Sequence, residues 1–210
     1  MPPKKSESLP YVIFYPHTRE ISERNWNSDY CQVVSIDPGT KNFALRIERR
    51  YTSGKVVPIV FDKASLNTSC IRNGEVYCEK YRSLSIFLNK YLEFYDLCHF
   101  IIIEKQLPQN SKATRLAQHT ISYFSTILCD KPLLPSIIEV DAKLKGKMLG
   151  APKGINSKQL KAWSVVEARR MLEEREDSFS IGVLNYFSKK QDDLCDTVCQ
   201  AEALFRYWEP

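Results

Sequence analysis

The chain has 210 residues, 43% hydrophobic and 11% aromatic, which suffices for one packed domain and excludes disorder throughout. Thirty Lys and Arg against 25 Asp and Glu leave a net charge of +5, which permits nucleic-acid binding without demanding it. No apolar run approaches the ~20 residues of a membrane span, and no secretory signal is visible. The opening Met1-Pro2-Pro3-Lys4-Lys5-Ser6-Glu7 is too short and too acidic for an organelle presequence. Seven cysteines without a C-x-x-C pair argue against zinc and a disulfide framework, so reduced thiols and an intracellular location are expected.

Residues 1–30 mix Pro, Ser and charge around one apolar knot, Tyr11-Val12-Ile13-Phe14-Tyr15. They read as an N-terminal extension, partly disordered with one docked segment, ahead of a domain covering 31–210. From Cys31 to Ile36 the chain is strand-like, and Pro38-Gly39 breaks the run. Phe43 to Ile47 follows as a hairpin partner, and Lys55 to Phe61 as a third strand. Apolar spacing predicts a helix over 77–97, then a buried strand at 99–104, a helix at about 112–129 and a strand at 137–140. Residues 143–155 carry Lys143, Lys145, Lys147 and Lys153 among three glycines and read as a mobile basic loop. Asn156 or Ser157 caps a helix reaching about Glu176, and a last helix starts near Asp192. Three hairpin-connected strands followed by alternating helices and strands make an α/β layered domain.

Acidic residues at three places define the candidate site. Asp37 ends one apolar run, Glu104 ends another, and Asp192, Asp193 and Asp196 open the last helix. Carboxylates at the ends of buried strands are costly to desolvate unless something positive neutralises them. Without a histidine cluster nearby, a hard divalent cation is the natural neutraliser. On a helix, Asp193 and Asp196 lie about 60° apart around the axis, and Asp192 and Asp196 also share a face, so spacing does not choose between the pairs. Each acidic group has a bland reading too: an Asx turn for Asp37, a solvated strand end for Glu104, a helix N-terminus for the aspartates. Taken together they point to metal-dependent phosphoryl transfer, in which two ions activate a water and stabilise the leaving oxygen.

Ile36-Asp37-Pro38-Gly39-Thr40-Lys41-Asn42-Phe43-Ala44, Ile103-Glu104-Lys105-Gln106 and Gln191-Asp192-Asp193-Leu194-Cys195-Asp196-Thr197 resemble the Holliday junction resolvases of poxviruses and other large DNA viruses. These are relatives of bacterial RuvC and of fungal mitochondrial resolvases. The resemblance implies an RNase H-like fold with a mixed central sheet, its first three strands antiparallel, flanked by helices. It also implies a magnesium-dependent endonuclease that nicks four-way DNA junctions in symmetric pairs. Two Mg²⁺ per site are implied, with Mn²⁺ as a substitute, and a homodimer bound to branched DNA. Carried over, the metal carboxylates are Asp37, Glu104, Asp193 and Asp196, the family favouring Asp193 over Asp192. A lysine before the last acidic block, Lys161 or Lys158, would contact the scissile phosphate. Lys41, Lys143, Lys145, Lys147, Lys153, Lys189 and Lys190 complete the expected DNA-binding set. A viral enzyme would act at the cytoplasmic replication site of the host cell, a fungal-type one in mitochondria. The competing readings are another RNase H-like nuclease, acting on RNA–DNA hybrids or as an exonuclease, and an ATP-binding protein of the actin-like superfamily.

Overall fold

Two runs with no solvent-facing side, Tyr30–Pro38 and Phe100–Lys105, lie side by side at the centre of the molecule and set the level of everything else. The computed structural model describes residues 12–15, 29–66, 76–131 and 134–208. Its elements in chain order are strand β1 (Val12–Tyr15), β2 (Tyr30–Pro38), β3 (Phe43–Tyr51) and β4 (Val56–Ala64), then helices α1 (Val76–Asn89) and α2 (Leu92–Tyr95). There follow β5 (Phe100–Lys105), α3 (Ser111–Ile127), β6 (Ser136–Asp141), α4 (Lys143–Leu149), α5 (Ser157–Glu174), α6 (Ser178–Tyr186) and α7 (Asp192–Trp208). The strands form one sheet in the order β1-β6-β5-β2-β3-β4. β3 pairs antiparallel with both β2 and β4, β5 and β6 run parallel to β2, and β1 closes the far edge antiparallel to β6. The rest of the expected N-terminal extension lies outside the described residues. Among the described residues no helix is long and apolar enough to cross a membrane.

Alternation along the strands feeds two cores, one on each face of the sheet. Val34, Ile36, Leu45, Ile101 and Ile103 pack against α1, α2 and α3. Val33, Ala44, Phe100, Ile102 and Val140 pack against α4, α5, α6 and α7. Two expectations need correction. The helix predicted over 77–97 divides into α1 and α2, because Lys90 and Tyr91 tighten into bonds with the carbonyls three residues back and the Tyr91 hydroxyl is held by Asp62 of β4 at 2.5 Å. The segment 143–155 is not a continuous loop: its first half is α4, closed by Gly150 in the left-handed region at φ 80°. Buried Leu144 and Leu149 outweigh the cost of Gly146 inside that helix. Helix α6, with its polar and apolar residues intermixed, has no counterpart in the sequence reading.

β3 looks half-solvated in sequence and is not. Arg46, Glu48 and Arg50 share its second face, and Arg46 is 0% exposed. The Arg46 guanidinium donates to Glu48 at 2.5 Å, to Ser180 at 2.7 Å and to Asp177 at 3.0 Å. Asp177 is also the N-cap of α6. Arg50 donates to Glu48 at 2.7 Å and to Glu202 of α7 at 2.9 Å, and Arg175 reaches the same Glu202 at 2.5 Å. This ion network is what α5, α6 and α7 share beneath their apolar contacts. Burial alone would push the Glu48 carboxyl up, but Arg50 and Arg46 outweigh it and hold it down at about 2.

Glu48→Gln is expected to destabilise the fold by about 3–5 kcal/mol at neutral pH, because it strands buried guanidiniums without their counter-charge. The depressed value fixes the pH window. The stabilisation is whole above pH 4.5, the group's ordinary value, and is lost as pH falls towards 2. Urea midpoints for the two proteins should therefore converge over that window, whereas a pH-independent gap would mean that Glu48 acts only by shape.

Candidate active site

Parallel register brings the first two carboxylates together. Ile36 pairs with Ile103, so Asp37 and Glu104, one residue further on, leave adjacent strands at the same level. Both belong to the face covered by α7, as do Ser35 and Ile102. The turn after Asp37 has no room for a side chain at Gly39, where a Cβ would meet the Asn42 carbonyl oxygen at 2.4 Å. α7 is tied to the same strand. The Ser35 hydroxyl donates to the Thr197 carbonyl at 2.9 Å, and Gln200 reaches Ser35 and the Ile36 carbonyl at 3.3 and 3.4 Å. That clamp fixes the height of Asp193 and Asp196 above Asp37.

The two neighbouring aspartates point different ways. Asp192 accepts from Lys161 of α5 at 2.8 Å, and this bond outweighs burial and holds its carboxyl below the usual range. Asp193 carries a buried oxygen, Oδ2, with no hydrogen-bond partner. Burial, then the charges of Asp192 and Asp196, push its carboxyl up to about 6. Asp37, 9% exposed, is raised further by burial and by the fields of Glu104, Asp196 and Asp193, with Lys145 opposing them. Asp192 does not figure in that group.

Lys145 is the unexpected member. The sequence places it with Lys143 and Lys147 on a mobile basic loop along the DNA, but α4 carries it into the cluster. Its ammonium lies 2.6 Å from Glu104 Oε2 and 2.9 Å from Asp196 Oδ1. Burial would lower its pKa, yet Glu104, Asp196 and Asp37 raise it well above the ordinary lysine value, so it stays charged. A buried ammonium bound by two carboxylates is not available to a junction arm. Ser164 of α5 donates to the same Asp196 oxygen at 2.7 Å. Neither role is signalled in the sequence: Lys145 has the spacing of its exposed neighbours, and Ser164 is an ordinary small helix residue.

The other expected basic residues stay at the surface. Lys41 is exposed on the turn after Asp37, Lys143 and Lys147 on α4, and Lys153 on the loop that follows. Lys158 is exposed in the first turn of α5 and does not meet the carboxylates, whereas Lys161, one turn on, does so through Asp192. Lys189 and Lys190 are exposed just before α7, and their carbonyls accept from Lys63 of β4 at 3.3 and 2.7 Å.

The donor set fits a hard cation. It consists of carboxylate oxygens in excess over one ammonium, with one of them buried and unpartnered on Asp193 and another strongly raised on Asp37. As they stand, no three such groups among the described residues converge tightly enough to hold an ion. Lys145 and Ser164 engage Glu104 and Asp196, whereas the ammonium groups near Asp37 and Asp193 act on them without a direct ion pair.

No protein-family model matches the chain. Solved structures do. The yeast mitochondrial Holliday junction resolvase Ydc2 superposes over 85% of this chain and 81% of its own, with a TM-score of 0.62 and 15% identity. Fowlpox virus resolvase, solved with substrate Holliday junction DNA, covers 84% of this chain and 97% of its own at a TM-score of 0.54 and 17% identity. RuvC of T. thermophilus, in complex with Holliday junction substrate, also gives 0.54, covering 84% and 94% at 12% identity. The fold is RNase H-like, of the RuvC kind. Two curated proteins of invertebrate iridescent viruses, both described as uncharacterized, match in sequence. Protein 170L of virus 6 is 27% identical over 143 residues, covering 59% of this chain and 56% of its own. Protein 97L of virus 3 is 30% identical over 117 residues, covering 55% and 52%. The chain thus spans about half the length of the curated relatives it matches.

Within this RuvC-like fold, Lys145→Ala should cost about 1–3 kcal/mol in metal-free buffer, because Glu104 and Asp196 lose their counter-charge in a partly buried site. Added Mg²⁺ should raise the melting temperature of the variant more than that of the parent. An equal rise in both would show that the ammonium and the cation do not share the same carboxylates.

Proposed function

We propose that this protein is a Holliday junction resolvase, a structure-selective endonuclease that makes paired, symmetric nicks in four-way DNA junctions as a homodimer. The observation that carries the reading is the meeting of Asp37, Glu104, Asp193 and Asp196 from two strands and a helix at one end of a RuvC-like sheet. Fold alone would not license it, since one fold hosts many activities. Carboxylates clustered against their mutual repulsion match the needs of phosphodiester hydrolysis. The iridescent-virus relatives favour a large DNA virus as the setting, with the infected cell as the place of action.

Asp37 and Asp193 would hold divalent ions together with Glu104 and Asp196. Magnesium is the expected metal, with manganese as a substitute. Bound there, such ions would lower the pKa of a water and stabilise the leaving 3′-oxygen. The chain's own residues do the rest. Lys145 balances Glu104 and Asp196 and places a fixed positive charge beside the phosphate that the cluster receives. Ser164 orients Asp196, and the Ser35–Thr197–Gln200 clamp holds both halves of the site at a constant separation. Lys161, half in solvent, holds Asp192 in an ion pair and can follow an incoming phosphate. Lys41, Lys143, Lys147, Lys153, Lys158, Lys189 and Lys190 would supply sequence-independent phosphate contacts. Cutting of a four-way junction but not of an RNA–DNA hybrid separates this reading from that of another RNase H-like nuclease.

Asp193→Asn is expected to abolish cutting while junction binding survives or tightens, since a neutral side chain repels DNA phosphates less. Asp192→Asn should remain active. Gel-resolved product strands from a synthetic four-way junction with magnesium check both, and the reverse pattern would reassign the ligand within the acidic block.

A junction presents two equivalent strands, and a two-fold dimer matches that symmetry with one site for each. A supercoiled plasmid extruding a cruciform should therefore pass straight to linear product. Accumulation of nicked circle, together with a monomeric mass in solution, would point to a single-strand nuclease.

A further inference from the structure

An open groove of about 630 Å³ runs between the edge strand β4 and α6, floored by Val60 and Phe61 and walled by Phe179, Tyr186 and Phe187. Two of its rings face solvent without being needed for packing. Phe179 is 50% exposed and Tyr186 is 83% exposed. Tyr186 meets Phe187 in a T-shaped arrangement at 4.9 Å between ring centres and is otherwise largely exposed. The volume lies in the range of about 300–1,000 Å³ that small planar ligands occupy.

The groove is continuous with the carboxylate cluster. Phe187 and Asp192 are separated in sequence only by Ser188, Lys189, Lys190 and Gln191. Lys63 joins the two regions in space. Its ammonium lies 4.9 Å from the centre of the Phe187 ring, donates to the carbonyl of Lys190 at 2.7 Å, and is near enough for Asp193 and Asp192 to act on it. Lys190 itself holds a left-handed backbone at φ 63°, an uncommon conformation for a lysine, so the bend between aromatic wall and acidic helix is imposed by its surroundings.

We propose that this groove receives an unpaired nucleobase from the DNA strand whose phosphate lies at the carboxylate cluster, stacking it on Tyr186 and Phe179. The inference rests on the nuclease reading above and deepens it. Bases at a branch point can be unstacked at less cost than bases inside a duplex, and every base presents a π face that an aromatic wall accepts. Charge near the groove suits the backbone that would come with it: Lys63 lies over Phe187 and is bonded to the carbonyls of Lys189 and Lys190, while Asp62, which also lines the groove, has its carboxylate taken up by the Tyr91 hydroxyl. A protein strand added to the β4 edge is the other occupant this shape could take. Pro58 within β4, the register shift between Ile47 and Glu48, and the nearby lysines all work against edge pairing. Selection of an unpaired base would give the enzyme a reason to cut at branch points that needs no base sequence.

The test couples the protein to its substrate. Full-length protein and the Phe179→Ala/Tyr186→Ala variant are given four-way junctions in which each nucleotide within two of the cut is replaced, in turn, by an abasic site. For the parent, one such position should lower cutting about tenfold, the scale of one base stacked on an aromatic side chain. The variant should be slower on the intact junction by a similar factor and indifferent to that abasic position. A 2-aminopurine at the same position should brighten or quench on binding to the parent, with calcium in place of magnesium, and not respond to the variant. Multiplying effects of variant and abasic site would overturn the inference while leaving the nuclease reading intact. So would a variant that cuts normally but loses its dimeric mass, since the groove would then hold protein. A parent that cuts no junction sinks both.

Discussion

Carboxylates brought within each other's fields repel, and this molecule meets that constraint with a lysine in place of distance. Glu104 and Asp196 could relax apart if nothing lay between them. The Lys145 ammonium binds both, and the Ser164 hydroxyl takes a further share of Asp196. Asp37 and Asp193 receive no such partner, and burial first, then the neighbouring acids, pushes their carboxyls up. The site is therefore polarised: one half is neutralised by the protein, the other is left for a ligand. Under the proposed function, that asymmetry would let a divalent ion and a phosphate share the same small volume.

Such a cluster stays assembled only if the elements beneath it cannot shift. Two devices fix them. The Ser35–Thr197–Gln200 contacts join the middle of β2 to the middle of α7, so the strand and helix that carry the acids move as one unit. Beneath α5, α6 and α7, the network of Arg46, Glu48, Arg50, Asp177, Arg175 and Glu202 sets how those helices sit on β3. An apolar core of the same volume would serve stability at least as well. The paired charges accept fewer arrangements, and positional accuracy is what a phosphoryl-transfer site needs.

The same frame explains why so little sequence is shared with the structures that superpose on it. At 12–17% identity, the viral, mitochondrial and bacterial chains share the fold with this one and few of its residues. The lysine-rich surface and the aromatic groove beside β4 belong to this chain's own loops and helices. Loops and helix faces outside the sheet are where differences in substrate handling can accumulate without disturbing the carboxylates.

Periodicity and breakers located nearly every element. Continuous apolar runs made β2 and β5 legible, and Asn156 or Ser157 marked the start of α5, where the structure makes Asn156 the N-cap in a capping box. The order of Asp37, Glu104 and the Asp192–Asp196 block was readable because a carboxylate after an apolar run is chemically conspicuous. Sequence could not choose Asp193 over Asp192, since both suit a helix N-terminus. What the structure adds is a difference in contacts, with Lys161 reaching across from α5 to Asp192. Nor could it find the buried charge on β3, where alternation looks the same whether the second face meets water or Asp177. Lys145 is the sharpest case. Its residue type and neighbours spell a surface loop, and only the packing of Leu144 and Leu149 under α7 turns that segment into a helix and its ammonium inward. Local pattern determines what each segment can become. Which charges end up facing one another in the site is decided by contacts between distant residues, 41 positions apart for Lys145 and Glu104 and 31 for Lys161 and Asp192, and those exist only once the sheet and its helices have closed.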